Sequence, residues 1–171
     1  MLRNYTAENL PDEKEKLFQA INHELIGFPE NTDAYAILLL FKLIIGEVVA
    51  LKWCVIDYES KTIHIHRMET LEENVSGSLS PVIAEYTKKK NPYGDRILPL
   101  GDYELTIFQY VMDVNKEYGY SDQDFIFCDA QGRTKIREID NRIRKLCNKA
   151  DIEVKSAPDI RRTSFVMSVE N

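Results

Sequence analysis

The sequence predicts an α+β fold, mainly α-helical, with one small three-stranded antiparallel sheet. Three observations predict it. In Thr32–Trp53 (TDAYAILLLFKLIIGEVVALKW), Lys42 is the only charged residue between Tyr35 and Ile45, and a helix apolar on nearly every side is a buried one. Between Cys54 and Leu100 the apolar period shortens towards two, with turn residues between the runs. From Thr134 to Ala150 the residues Ile136, Ile139, Ile143, Leu146, Cys147 and Ala150 recur at helical spacing, while Arg137, Arg142, Arg144, Lys145 and Lys149 lie off that stripe.

The 171 residues suit one domain, 1–171, with a sizeable core. Apolar residues make up 44% and charged residues 29%, a globular rather than a disordered composition. The apolar run is too short to span a bilayer and is interrupted by Lys42 and Gly46, so no membrane partner is expected. Cys54, Cys128 and Cys147 are scattered, without a CxxC pair; that fits a reducing compartment and predicts no disulfide, zinc or other cofactor. MLRNYTAENLPDE has no apolar stretch like that of a signal peptide, which makes the cytoplasm the expected location. The net charge of −6 argues mildly against nucleic acid, but its distribution matters more. Residues 6–33 and 102–129 are acidic, whereas Thr87–Arg96 and Arg133–Arg162 are basic. From Gln131 to Arg162 there are ten Lys/Arg against five Asp/Glu.

In chain order, Asp12–Ile26 reads as a helix that Pro11 and Asp12 start and Gly27-Phe28-Pro29 ends, with Leu17, Ile21 and Leu25 on one face. Thr32 or Asn31 caps the buried helix, Gly46 lets the chain turn a corner, and Glu47–Trp53 forms a short second helix. Cys54–Tyr58 and Thr62–Met68 read as paired strands. His64 and His66 share one strand face, but no third ligand is near in sequence, so they are read as surface histidines and not as a metal site. Leu71–Ser80, polar and serine-rich, is expected to be a loop. Pro81–Thr87 is extended, Asn91–Asp95 is a turn and Arg96–Leu100 is the returning strand. A helix follows Gly101-Asp102 to about Tyr118, then an extended pass over Asp124–Cys128, a turn at 129–133, and the basic helix from Thr134. Pro158 suits the first turn of one more helix.

Four stretches resemble the tyrosine recombinase (phage integrase) family. LLFKLIIGEVVALKWCVID is similar to its G-L-R-x-G-E-L-x-x-L-x-W-x-D-I-D segment, with Gly46, Glu47, Leu51, Trp53, Ile56 and Asp57 in place. TKKKNPYGDRILPL resembles its lysine hairpin, K-T-x-S-x-R-x-I-P-L. FIFCDAQGRTKIREIDNRIRKLCNKADI resembles the strand, glycine turn and basic helix that follow, and SAPDIRRTSF resembles H-D-L-R-H-T. The resemblance covers about Glu8 to Thr163. It implies the catalytic-domain fold of DNA breaking–rejoining enzymes. It also implies a chemistry: a tyrosine attacks a DNA phosphate while two arginines hold the non-bridging oxygens and a lysine and a histidine move protons.

On that resemblance, Arg161 stands for the second arginine, and Lys88 or Lys90 for the hairpin lysine. Ile44 replaces the first arginine and Pro158 the histidine, and no tyrosine follows Tyr120. The expectation is therefore a degenerate catalytic domain without its C-terminal nucleophile segment, lacking strand-cleavage activity as given. It would hold the phosphate backbone of double-stranded DNA through Lys88, Lys89, Lys90, Arg137, Arg142, Arg144, Arg161 and Arg162. The rival expectation is an interaction module or inactive remnant that binds intact recombinase subunits rather than DNA.

Overall fold

Helices form where apolar residues recur every three or four positions, and a carboxylate at the third position closes the helix starts at Ile45, Asp102 and Ile136. The computed structural model describes residues 10–86, 94–121 and 124–162. Helix α1 (Leu10–Gly27) is followed by α2 (Thr32–Leu39) and the short α3 (Ile45–Val49). The Glu47 carboxylate accepts the Ile44 N–H at the start of α3. Glu104 does the same for Gly101 ahead of α4 (Asp102–Tyr118), and Glu138 for Lys135 ahead of α5 (Ile136–Lys149). Each reach-back satisfies a backbone donor that a helix start leaves open.

The centre is α2. Ala34, Ala36, Ile37, Leu38 and Leu39 are all buried, so the helix is enclosed on every side, with α1, α4 and α5 packed around it. Leu17 and Ile21 come from α1, Phe108 and Val111 from α4, and Ile139, Ile143 and Leu146 from α5. Burial of each large aliphatic side chain contributes about 1.5–3 kcal/mol.

The expected long helix is shorter than its apolar run: α2 ends at Leu39 and the chain turns through 40–44. The turn lets Lys42 reach the Pro99 carbonyl at 2.8 Å and Glu104 at 3.1 Å, an exit that a continued buried helix would deny its ammonium. Gly46 is therefore not the corner but lies inside α3. A Cβ there would stand 3.2 Å from Met68 Cε and 3.3 Å from the Glu69 carbonyl, so glycine allows α3 to lie against the strand. The second helix also stops before Trp53; Lys52 bridges to Phe125, and Trp53–Val55 is a single 3-10 turn.

The three-stranded antiparallel sheet is present, in the order β1 (Ile56–Asp57), β2 (Thr62–Ile65), β5 (Arg96–Pro99). Ile63 faces Leu98, and Ile65 faces Arg96. The predicted Thr62–Met68 strand breaks at His66, and β3 (Arg67–Glu73) leaves for a separate ribbon with β4 (Leu79–Glu85). This corrects the expected loop at Leu71–Ser80. Leu71 pairs with Pro81 and Glu73 with Leu79, and the Asn74 side chain, accepting the Ser76 and Ser78 N–H groups, closes the tip. A small β6 (Cys128–Asp129)–β7 (Gly132–Arg133) hairpin leads into α5, and residues 157–162 are helical.

The sheet, the ribbon and α3 meet at Glu47, which is 0% exposed. Arg96 of β5 grips it with both ends of its fork, Nη1 to Oε1 at 2.7 Å and Nη2 to Oε2 at 3.0 Å. The Tyr86 hydroxyl, just past β4, donates to Oε1. Burial, reinforced by the hydrogen bond to Glu47, pushes the Tyr86 phenol well above its usual range, and the same carboxylate raises Arg96. Removing one member of such a pair strands its partner. Glu47→Gln is expected to lower unfolding stability by about 3 kcal/mol in urea titration at pH 7, and Tyr86→Phe by about 1 kcal/mol.

Candidate nucleic-acid interface

Ile44 sits immediately before α3 with its backbone N–H on the Glu47 carboxylate and its side chain half-buried. The position at which the resemblance expects a phosphate-holding arginine thus carries an aliphatic group. The carboxylate beside it is already occupied by Arg96 and Tyr86.

Residues 87–93, with Lys88, Lys89, Lys90 and most of the expected turn, lie outside the described residues. The two arms leading to them are described. The Tyr86 N–H donates to the His66 carbonyl at 2.8 Å. His66 Nδ1 is 2.9 Å from Glu85, His64 Nε2 is 2.7 Å from Asp95, and the two rings stack with centroids 4.5 Å apart. His64 of β2 and His66 just after it thereby touch both arms. Among the described residues no group of three or more possible metal ligands comes together.

The 157–162 helix begins with a reciprocal cap. Ser156 N–H donates to Asp159 Oδ2 at 3.1 Å, and Asp159 N–H donates to Ser156 Oγ at 3.2 Å. Burial opposes ionisation of Asp159, yet these hydrogen bonds and Arg162 hold its carboxyl below the usual range. Pro158 occupies the first turn, as expected, and Ala157 and Ile160 point into the core. Arg161 is half-buried. Arg162 is 76% exposed and leans on Asp159 at 3.2 Å.

The basic residues of α5 divide into two groups. Arg137 and Arg144 are exposed and line, with Lys135 and Asn141, a groove of about 910 Å³ between α5 and the β3–β4 ribbon. Arg142 turns inward. Its Nη1 lies 2.7 Å from Glu24, its Nε lies 3.1 Å from both oxygens of Asp33, and its side chain is only 17% exposed. Lys149 holds the other Glu24 oxygen at 2.7 Å. That hydrogen bond, with Asn31 and Arg142, keeps the Glu24 carboxyl below its usual range; at Asp33 burial outweighs Arg142 and pushes the carboxyl up. Arg142 therefore stitches α5 to α1 and α2.

Sequence reasoning also passed over Arg133 and Glu69. The two meet at 2.6 Å, and the other Glu69 oxygen accepts the Ile136 N–H at 3.3 Å, tying the start of α5 to the ribbon. An acid inside a strand opposite a glycine-turn arginine was the available signal.

The phage integrase family matches residues 10–168, and the chain belongs to that family, the tyrosine recombinases. No curated protein sequence matches it. The fold is similar to the crystal structure of XerA recombinase, with a TM-score of 0.65 and 20% identity, covering 100% of this chain and 52% of that one. It is similar to the Tn1549 transposon integrase in complex with circular intermediate DNA, at TM-score 0.60 and 22% identity, covering 81% of this chain and 45% of that one. It is also similar to XerH site-specific recombinase bound to difH substrate, at TM-score 0.55 and 14% identity, covering 93% and 42%. The chain spans about half the length of the solved structures it matches. No described helix is long and apolar enough to cross a membrane.

Arg142→Ala is expected to cost about 3 kcal/mol of stability and to leave duplex-DNA affinity unchanged, which denaturant titration and fluorescence anisotropy check together. The acid limb follows from Glu24. Its carboxyl titrates lower in the folded chain than in the unfolded one, so its contribution is complete above about pH 5 and disappears as pH falls below about 4. Glu24→Gln is expected to flatten that part of the stability–pH curve.

Proposed function

We propose that this domain binds the phosphate backbone of duplex DNA as a recombinase catalytic domain does, and does not cleave it. The observation that carries the reading is Ile44. The α3 start, Glu47 and its Arg96–Tyr86 support are all built, yet the side chain placed to neutralise phosphate charge is an isoleucine. Charge accumulates on the phosphate oxygens during transfer, and an aliphatic group does nothing to stabilise it. Pro158 has neither a proton to give nor a ring nitrogen to accept one, so the histidine's part is also empty. Arg161 remains as the second arginine.

DNA binding is supported by family membership and by the exposed Arg137, Arg144 and Arg162. The relatives solved with DNA, the Tn1549 integrase and XerH, support it as well. Arg161 and one of Lys88 or Lys90 are assigned to the phosphate, with Lys89 beside them; Arg142 is left out because Glu24 and Asp33 occupy it.

One observation favours a protein partner as a second role. The ribbon exposes Leu71, Val75 and Leu79 near its tip, apolar groups suited to another recombinase subunit.

Incubation with nicked suicide substrates is expected to give no covalent protein–DNA adduct in denaturing gels, and an adduct overturns the inactive assignment. Duplex affinity is expected to fall steeply with salt, with little sequence preference. Arg161→Ala and Arg144→Ala are each expected to lower the salt slope by about one. A flat salt dependence, with capture of an intact recombinase and no DNA retained, favours the partner role instead.

A further inference from the structure

Farther along the same face of the β3–β4 ribbon lies a second basic hollow, whose cations are not among the residues that the resemblance assigns to DNA. Lys52, Arg67 and Arg133 line it together with Phe125 and Glu85, around a space of about 530 Å³. The three cations come from separate elements: the segment after α3, the first residue of β3, and β7. Phe125 organises two of them. Lys52 Nζ lies 4.8 Å from its ring centroid and Arg133 Cζ 5.7 Å from it, so the one ring engages both cations.

Charges within the hollow do not balance. Arg133 is compensated by Glu69 at 2.6 Å. Glu85 is exposed and its Oε2 is taken by His66 at 2.9 Å. Arg67 stands across from Glu85 in the ribbon register, yet its Nε is buried without a hydrogen-bond partner. A buried donor on a cation is costly to leave unmade, and native proteins leave few such groups without a partner, water or ion. A guanidinium and a lysine ammonium that line one hollow match a tetrahedral oxyanion, which accepts from a planar fork and a point charge together.

We propose that Lys52, Arg67 and Arg133 form an oxyanion site for a phosphate group. Its source is either a DNA phosphodiester or a free phosphate. In the first case the site rests on the DNA-binding reading; in the second it stands independently of it.

The test follows the Arg67 Nε–Hε resonance by NMR in the whole chain, assigned with Arg67→Gln and titrated at constant ionic strength. One arm uses inorganic phosphate, the other a short blunt DNA duplex. The expected result is a saturable shift of that resonance, with Lys52→Gln weakening the titration by about tenfold. A shift with duplex alone assigns a phosphodiester, and a shift with inorganic phosphate alone assigns a free phosphate; both support the site. If duplex binds by anisotropy while the Arg67 resonance stays still in both arms, the site is overturned and the DNA reading stands. If duplex does not bind but phosphate still shifts Arg67, the DNA reading falls and the site stands. The wild-type titration reads the site directly, so a variant that folds poorly does not rescue or sink it.

Discussion

A carboxylate with no exposure, at the third residue of a five-residue helix, is the constraint around which this fold is arranged. Glu47 has to be satisfied where it lies, because a buried unpaired charge costs more than so short a helix can return. Its partners come from either side of the connection between β4 and β5, Tyr86 after β4 and Arg96 at the head of β5. The ends of both strands are thus pinned to the start of α3. Those ends flank the segment that bears Lys88–Lys90, so one buried group ties both of its described flanks to the helix start at Ile44.

The same device recurs twice. Glu24 is held by Arg142 and Lys149, and Glu69 by Arg133 and the α5 backbone. Each joins elements that hydrophobic contact alone leaves free to slide: α5 to α1 and α2, and α5 to the ribbon. These pairs also explain why a count of basic residues misleads about surface. Arg96 and Arg142 are consumed internally, and the cations left outside, such as Arg137, Arg144 and Arg162, make up a smaller footprint.

Much of the architecture is legible in the residues. The periodic helices, the apolar α2 and the three-stranded sheet follow from spacing, and Pro158 falls in a first turn. The ribbon is not legible, for a physical reason. In β3 the buried residue is Glu69 while Leu71 is exposed, so the polarity pattern runs opposite to that of an ordinary half-buried strand. The break in the apolar run is hidden as well, since Lys42 reads as an interruption until its carbonyl and carboxylate partners, 57 and 62 residues away, are seen. At the site, residue identity locates Ile44, Pro158 and Arg161, but only geometry separates the inward Arg142 from the outward Arg137 and Arg144. Arg67 has no motif at all, and only its buried, unpartnered Nε marks it.

The chain is a recombinase-family domain, and we propose that support for a phosphate-gripping residue persists in it beside Ile44, which cannot grip. The most direct measurement is the salt-dependent duplex affinity of Ile44→Arg beside the wild type. The account predicts tighter binding and a salt slope steeper by about one, with folding stability little changed, because the position is only half-buried and the helix start is already braced. Unchanged affinity and slope in a folded Ile44→Arg protein contradict it, since the α3 start would then not face a DNA phosphate.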